Sequence, residues 1–333
     1  MTPNRDVYQR SVCINPSLNR GPMLTSEKSL QSAAQDKLAA QAAFRDEAVY
    51  YVPRNSFKAA NTKVPLHEFE KERLQACASG TSSSVIPLDL SHRMGLSFPA
   101  SLPNVLARYI KLAPGDPVGL TANATAVIHY VISGNGFSEC EGDRIDWAAG
   151  DLFMFGGNRQ VTHCTTDTPA LLFTATDEPM LQYASVTPVN GEGRVKTAHF
   201  PAAEIERHLA LAYAREPDAD DSGKAVIFTT QQMEKMNTTS PFITVNINTL
   251  PAGGDQRPHR HNAAALTLCV EGEKVYSEVD GMRVDWRPYG VLVTPPGALH
   301  AHYSRGPKPM RSIVVQDSGV FYHARISGFS FDN

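Results

Sequence analysis

The chain has 333 residues, of which 42% are hydrophobic and 20% are charged, and its formal net charge is −3. The length is sufficient for two domains with separate cores, and the balanced charge without a basic stripe argues against a nucleic-acid partner. Neither a membrane-spanning apolar run nor a signal-peptide core is visible, and the five cysteines have no regular spacing, so we expect a cytoplasmic protein with reduced thiols.

The first 83 residues are interpreted as an N-terminal helical arm. The segment from Ser26 to Tyr50 is rich in Ala, Gln, Lys and Leu, which favour a helix, and Thr25 or Ser26 would cap it. We expect this arm to pack on the rest of the chain or on a neighbouring subunit.

From residue 84 onward, short apolar runs alternate with turn residues. The runs are rich in β-branched and aromatic residues and have the length of strands, while clusters of Gly, Asp, Asn and Pro supply turns between them. Clear examples are AVIHYVI, DLFMF, ALLFTAT, ITVNINTL, AALTLCV, GVLVTPPG and RSIVVQDS. This pattern predicts an all-β sandwich or closed barrel.

The chain contains an internal repeat. Shifted by 139 positions, CEGDRIDW falls on VDGMRVDW, and the only two tryptophans, Trp147 and Trp286, coincide. Two copies of one unit indicate two barrels, which we place at 84–200 and 201–333. The segment PAAEIERHLALAYA, between the strand-rich parts of the two copies, is predicted to be a helix.

Three histidines in the second copy form the clearest candidate site. His259 and His261 are two residues apart, so on a strand their side chains point to the same side, and His300 follows in the turn sequence PPGALHAH. Three imidazoles on one face leave the opposite face of a metal open, as in catalytic sites. The alternative is a barrel that keeps these residues for packing.

The first copy lacks this pair, because Leu120 and Ala122 occupy the positions of His259 and His261. His163 lies near the position of His302, and alone it cannot hold a metal. His129 falls on Leu268, and strand alternation places it away from the barrel interior as a structural or surface histidine. We therefore expect the first barrel to be metal-free.

These residues resemble the motifs of the cupins. Gly254, His259, His261 and Gly272 match the first motif, Pro295, Gly297 and His300 match the second, and Ala265 stands where the first motif usually has a glutamate. The resemblance implies an all-β fold of two tandem cupin barrels (double-stranded β-helix, or jelly-roll, barrels) with an N-terminal helical extension.

Within the cupins, the strings HRHNAAAL, CVEG, SEVDG, VLVTPPG and HAH resemble the gentisate and salicylate 1,2-dioxygenase group. This resemblance implies an Fe(II)-dependent, extradiol-type dioxygenase that cleaves a small hydroxylated aromatic ring with O₂, and a homo-oligomer, either a dimer or a tetramer. Two features depart from that group. The metal ligands lie in the second barrel, and Thr267 occupies the position of an arginine that can meet a substrate carboxylate.

Further site residues follow from strand parity and from the resemblance. Thr267, Asn248, Gln316 and Arg311 are candidates for substrate binding, and His302 is a candidate catalytic residue, since it is two residues beyond His300. Weaker candidates for the pocket or for a substrate carboxylate are Asn246, Ala265, Cys269, Arg257 and Arg260.

Other functions stay open from the sequence. Zinc, nickel, copper or manganese would also fit three imidazoles. A cupin isomerase, lyase or decarboxylase that works without O₂ is the main rival, and a storage or binding bicupin is a third class.

Overall fold

The structure is a computed structural model that describes residues 27–52, 54, 62–80, 82–189, 195–216, 223–326 and 328–331. The chain forms two compact units, residues 1–60 and residues 61–333. In the first unit, α1 (Glu27–Asp46) is the predicted helix, and its expected caps Thr25 and Ser26 lie outside the described residues.

Short elements open the second unit. They are β1 (His67–Glu68), α2 (Glu70–Cys77), β2 (Ser84–Pro87) and α3 (Ser91–Met94). Although β1 falls within the predicted arm, it joins a sheet of the second barrel, where His67 pairs with Val293. The domain boundaries at 83 and 200 stay predictions.

The first barrel consists of two facing antiparallel sheets. Its strands are β3 (Leu106–Leu112), β4 (Val118–Thr121), β5 (Ala126–Ser133), β6 (Asn135–Cys140), β7 (Asp143–Ala148), β8 (Leu152–Gly156), β9 (Gln160–Cys164) and β10 (Ala170–Thr176). One sheet has the order β11-β8-β5-β10-β3-β2, where β11 is Ala198–Phe200, and the other has the order β4-β9-β6-β7. Apolar side chains fill the space between the sheets, Phe153, Phe155 and Leu172 among them.

A connecting segment leads from the first barrel to the second. It contains α4 (Glu178–Ala184), β11, α5 (Ala202–Ala214), β12 (Lys224–Phe228) and a 3₁₀ turn (Glu234–Met236). The predicted helix PAAEIERHLALAYA corresponds to α5, which buries Ile205 and Leu209. No helix among the described residues is long and apolar enough to cross a membrane.

The second barrel repeats the design of the first. Its strands are β13 (Thr244–Leu250), β14 (His259–His261), β15 (Ala265–Glu271), β16 (Val275–Val279), β17 (Met282–Asp285), β18 (Val291–Thr294), β19 (His300–Ser304), β20 (Met310–Gln316) and β21 (Phe329–Phe331), with α6 (Ser318–His323) before β21. The sheets have the orders β1-β18-β15-β20-β13-β12 and β17-β16-β19-β14-β21.

One hydrophobic core joins the two barrels. It is built from the outer faces of the two six-stranded sheets and includes Tyr109 and Ile128 from the first barrel with Ile247 and Leu266 from the second. All four side chains are buried. The predicted fold, two tandem jelly-roll barrels with a helical N-terminal portion, is confirmed.

Candidate metal centre

The three predicted ligands meet at one edge of the second barrel. His259 pairs directly with His300 across β14 and β19, and His261 follows on the same side of β14. One ligand nitrogen from each of the three lies within 4.8 Å of the others. Two strands thus bring the pair His259 and His261 together with His300, which lies much later in the sequence.

Backbone carbonyls fix the tautomer of every ligand. Nδ1 of His259 lies 3.0 Å from the Arg257 carbonyl oxygen, Nδ1 of His261 lies 2.6 Å from that of Ala263, and Nδ1 of His300 lies 3.0 Å from that of Ala298. Because a carbonyl oxygen only accepts, each Nδ1 carries the proton and each Nε2 keeps its lone pair. Histidines that bind metals are oriented in this way, so the residues present fit a metal ion.

Burial keeps these imidazoles neutral. It lowers the pKa of His261 to about 4 and that of His300 to about 2, and it also lowers the pKa of His259. A neutral imidazole is the form that binds a metal, and no proton has to leave at neutral pH.

A glycine turn ties the third ligand to the other two. Gly297 has a φ of +73°, which a side chain would strain, and its N–H donates to the carbonyl of His261 over 2.8 Å. The turn that leads into His300 is therefore anchored on the strand that carries the other ligands.

The ligands open onto a cavity of about 440 Å³ inside the second barrel. Its polar lining is made of hydroxyls, carboxamides and imidazoles, and none of the described residues that line it is charged. The polar lining residues are Asn237, Thr244, Asn246, Asn248, Gln256, Thr267, Thr294, Gln316, Ser318, Tyr322 and the four histidines His259, His261, His300 and His302. This volume suits a small ligand such as a single substituted ring.

Three of the four predicted substrate residues lie in the cavity wall. Asn248, Thr267 and Gln316 line it, together with the weaker candidates Asn246 and Ala265. Gln316 Nε2 also lies 3.1 Å from Nε2 of His261, which it can reach as a donor.

The fourth, Arg311, does not line the cavity. On β20 the cavity residues are Val314 and Gln316, so strand alternation turns Arg311 to the opposite face, where it forms an ion pair with Glu206 of α5.

The other weaker candidates also lie outside the cavity wall. Arg257 stacks on the Phe331 ring at 4.0 Å from its centroid, and Arg260 donates to the carbonyl of Gly297. Cys269 is a buried thiol, and burial raises its pKa to about 12.

His302 differs from the three ligands in its hydrogen bonding. Its Nδ1 lies 2.8 Å from Oγ of Ser277, which in turn accepts the indole N–H of Trp286 over 2.7 Å. Among the described residues, no other acceptor lies within reach of the Ser277 hydroxyl, so it donates to Nδ1, which places the His302 proton on Nε2. His302 therefore offers the cavity a donor, whereas the ligands offer lone pairs.

The first barrel keeps the same Trp–Ser–His hydrogen-bond chain but lacks histidines at the metal-ligand positions. Trp147 donates to Ser138, which bonds Nδ1 of His163 over 2.7 Å. The ligand positions in the same repeat hold Leu120, Ala122 and Val161, all of them buried. These apolar residues support the prediction that this barrel binds no metal.

The predicted outward face of His129 is wrong, whereas a structural role for this histidine stays a prediction. In the first barrel His129 pairs with Thr174, and in the second barrel Thr267 pairs with Val314 in the equivalent place. His129 therefore occupies the inward position that Thr267 has in the second barrel. It is fully buried, and its ring centroid lies 4.6 Å from that of His163. The gapless alignment is one residue out of register at β5, and a shift of one residue reverses the face of a strand.

Sequence reasoning missed several cavity residues. Gln256 precedes the histidine strand, Thr294 precedes the PPG turn, and Phe329 lies on β21, far from every motif. The period-2 pattern of β13 offered a signal for Thr244, which shares its face with Asn246. No sequence pattern indicated Phe329, because its position in the cavity wall depends on the pairing of β21 with β14.

Comparison with known proteins places the fold. A cupin domain family model matches residues 246–316, the strands around the metal centre. Salicylate 1,2-dioxygenase from Pseudaminobacter salicylatoxidans superimposes with a TM-score of 0.72 at 13% identity, over 88% of this chain and 96% of that enzyme. A variant of that enzyme in complex with gentisate gives a TM-score of 0.69 at 12% identity, over 95% and 99% of the two chains. The fold is that of a bicupin.

Sequence relatives point to the same group. A gentisate 1,2-dioxygenase of Ralstonia sp is 32% identical over 95 residues, which is 28% of this chain and 26% of that protein. A 5-aminosalicylate 1,2-dioxygenase of Comamonas sp is 28% identical over 114 residues, or 34% and 30% of the two chains. The matches thus span about a third or less of these relatives. The expected resemblance to the gentisate and salicylate 1,2-dioxygenase group of cupins is confirmed.

Proposed function

We propose that this protein is an Fe(II)-dependent dioxygenase that cleaves a hydroxylated aromatic ring with O₂. The observation that carries the proposal is the set of three imidazoles with inward lone pairs on the wall of a ring-sized cavity. The similarity to gentisate, salicylate and 5-aminosalicylate dioxygenases supports iron over other divalent metals. We include in the proposal that cleavage is of the extradiol type, at a ring bond next to a hydroxylated carbon and not between two hydroxylated carbons.

His259, His261 and His300 would hold the ion on one side and leave its other side facing the cavity. When bound, the ion would supply a meeting point for substrate oxygens and dioxygen and a route for electron density between them. All three protein ligands are neutral, so the charge of the ion is left for anionic substrate oxygens to balance.

The protein's own side chains would orient the reactants. His302 directs its Nε2–H into the cavity, where it can donate to an oxygen that gains negative charge during the reaction. Thr267, Asn248 and Gln316 can bond ring substituents, and Phe329, whose ring lies 5.0 Å from that of His259, closes the apolar side.

An oxygen electrode tests the proposal directly. Protein loaded anaerobically with Fe(II) is given ortho- and para-dihydroxylated aromatics, 5-aminosalicylate and salicylate, and oxygen uptake is compared with ring opening followed by absorbance and mass spectrometry. The expected result is one O₂ consumed for each ring opened, with both oxygen atoms in the product. Turnover of a small oxygenated metabolite without O₂ would instead identify an isomerase, lyase or decarboxylase.

A further inference from the structure

We propose that Gln316 is a fourth protein ligand of the metal, bound through its side-chain carbonyl oxygen Oε1. The inference rests on the proposed function, because it concerns the ion that His259, His261 and His300 would hold. It adds to the three imidazoles one neutral oxygen ligand, which comes from β20, a strand that carries none of the histidines.

The first observation is the distance between the carboxamide and the nearest ligand histidine. Gln316 Nε2 lies 3.1 Å from Nε2 of His261, the atom whose lone pair would bind the ion. Two donor atoms that each lie about 2.1 Å from one ion are roughly 3.0–3.4 Å apart at octahedral or tetrahedral angles. The end of the Gln316 side chain therefore lies at the spacing of two ligands of the same ion.

The second observation is that the amide can reverse without losing its other bond. Nε2 of Gln316 donates to the lone pair of His261, and Oε1 accepts the hydroxyl of Ser318 over 3.3 Å. An ion on His261 would take that lone pair and repel the N–H, whereas a half-turn of the amide presents Oε1 to the ion. Ser318 can then accept from Nε2, because a hydroxyl both donates and accepts, and the second N–H stays available for a ring substituent.

Strand pairing holds Gln316 in this position. It is the last residue of β20, between β13 and β15, and its register partner on β15 is Ala265, whose short side chain leaves room for a longer one beside it. The next residue, Asp317, accepts the N–H of Ala264 over 2.9 Å and the side-chain N–H of Asn104 over 2.8 Å. The carboxamide thus extends from a backbone that is anchored on both sides.

No charged ligand competes for this place among the described residues that line the cavity. None of them is an aspartate, a glutamate or a cysteine. Two other carboxamides of the cavity wall, Asn246 and Asn248, bond each other. Carbonyl oxygens suit divalent ions such as Mn²⁺, and Gln316 is neutral, so it would hold the ion without changing the charge of the site.

Metal affinity tests the proposal, because the two roles open to Gln316 differ in sign. If it is a ligand, Gln316→Leu should weaken Fe(II) and Mn(II) binding by at least about 10-fold, the lower end of what even indirect partners of metal ligands contribute. Gln316→Asn keeps the carboxamide but withdraws it by one methylene, so it should weaken binding too. If Gln316 only bonds the His261 lone pair, both changes remove a competitor of the ion. Equal or higher affinity would therefore overturn the inference. Affinity is measured under nitrogen by competition with a chromophoric chelator.

A second measurement counts the water molecules on Mn(II). Pulsed electron paramagnetic resonance in deuterated water should find one more bound water in Gln316→Leu than in the unaltered protein, and equal counts would contradict the proposal. Asn246→Leu is the matched control, because it removes a carboxamide from the same cavity wall, where its partner is Asn248. It should keep the metal affinity and the water count, and a loss as large as that of Gln316→Leu would show a general effect of wall polarity and overturn the assignment.

The outcomes separate this inference from the proposed function. Oxygen uptake with ring opening by the unaltered protein would leave the proposed function intact even if Gln316 proved not to bind the ion. An unaltered chain that binds neither Fe(II) nor Mn(II) would overturn both.

Discussion

At the residue scale, each ligand imidazole is oriented by a carbonyl close to it in the chain. The Arg257, Ala263 and Ala298 carbonyls each lie two residues from the histidine they bond. Local backbone therefore sets the tautomers, and the long-range pairing of β14 with β19 only has to bring the rings together. The three ligands should act as a unit.

Replacing any one ligand should release the metal. We expect His259→Ala, His261→Ala and His300→Ala each to lose most of the bound ion, because two imidazoles leave the coordination set incomplete. His163→Ala is the matched control, since His163 is buried, as His259 and His300 are, but lies in the first barrel. Metal content is measured by plasma mass spectrometry. One ion per chain in all three ligand variants would contradict the assignment.

A different outcome is expected for His302. If it donates from Nε2 to a reacting oxygen, His302→Ala keeps its iron and loses turnover by roughly 10²-fold, the usual scale for such a group. His302→Gln retains an N–H donor and should recover part of the rate. Loss of iron together with activity would show that His302 only supports His300, and full activity with full iron would exclude both roles.

The hydroxyl behind His302 gives an independent test. Ser277→Ala removes the donor that places the His302 proton on Nε2. Partners of this kind are worth about 10–100-fold in affinity or activity, so turnover should fall with the iron in place. Ser138→Ala, the same change in the first barrel, is the control, and equal losses in both variants would argue for a purely structural hydroxyl.

Asp177 should make stability depend on pH. Burial raises its pKa from 3.8 to about 6, although Thr125 bonds it through both its N–H and its hydroxyl. The folded protein thus holds a proton that the unfolded chain has released, and stability should fall as pH rises from about 4 to 6. Asp177→Asn cannot ionise, so in thermal melts its stability relative to the native chain should rise over that window, by up to about 3 kcal/mol. Parallel pH profiles would contradict this.

At the element scale, the last strand completes the metal-binding edge. β21 pairs with β14, where Phe331 faces His259 and Phe329 faces His261. The Phe329 ring also packs on His259, with 5.0 Å between centroids. β14 has only three residues, so its position depends on the strands on either side of it.

Removing that strand should weaken the site without unfolding the barrel. A chain that ends after Ile326 loses the pairing and the ring contact, and an aromatic contact of this kind is worth about 0.5–1.5 kcal/mol. We expect metal affinity to fall by up to about 10-fold, measured by competition with a chromophoric chelator. Phe331→Ala keeps the backbone pairing and should show a smaller loss; unchanged affinity in the truncated chain would disprove the role of β21.

The strands explain why some residues of the site can be predicted from the sequence and others cannot. The residues His259, His261 and His300 lie in motifs with turn glycines, and the even spacing of Thr267 from His261 predicts its inward side chain. The predicted face of His129 is wrong because face assignment depends on register. Arg311 lies at an odd spacing from Gln316, so strand alternation alone places the two on opposite faces of β20. An alignment one residue out at β5 reverses His129, and nothing in the sequence shows that Glu206 of α5 pairs with Arg311.

At the scale of the whole molecule, one repeated unit has two different interiors. Both barrels keep the Trp–Ser–His hydrogen-bond chain at matching positions. The first barrel fills its interior with apolar side chains such as Phe153, while the second retains a cavity of about 440 Å³. The filled barrel can then serve as a rigid base, because its outer sheet face packs on that of the cavity-bearing barrel.

The shared core should make the two barrels unfold together. Ile128 belongs to the first barrel but is 3% exposed in the core between the barrels, so Ile128→Ala should cost about 2–5 kcal/mol and lower the melting temperature by several degrees. Metal release reports on the second barrel. Its midpoint temperature should fall by the same amount as the midpoint temperature for the loss of the circular dichroism signal. Ile326→Ala is the matched control, since Ile326 is 50% exposed and surface changes usually stay within about 0.5 kcal/mol. Two separate transitions, with metal release unchanged in Ile128→Ala, would show that the barrels are independent and that the first does not stabilise the metal centre.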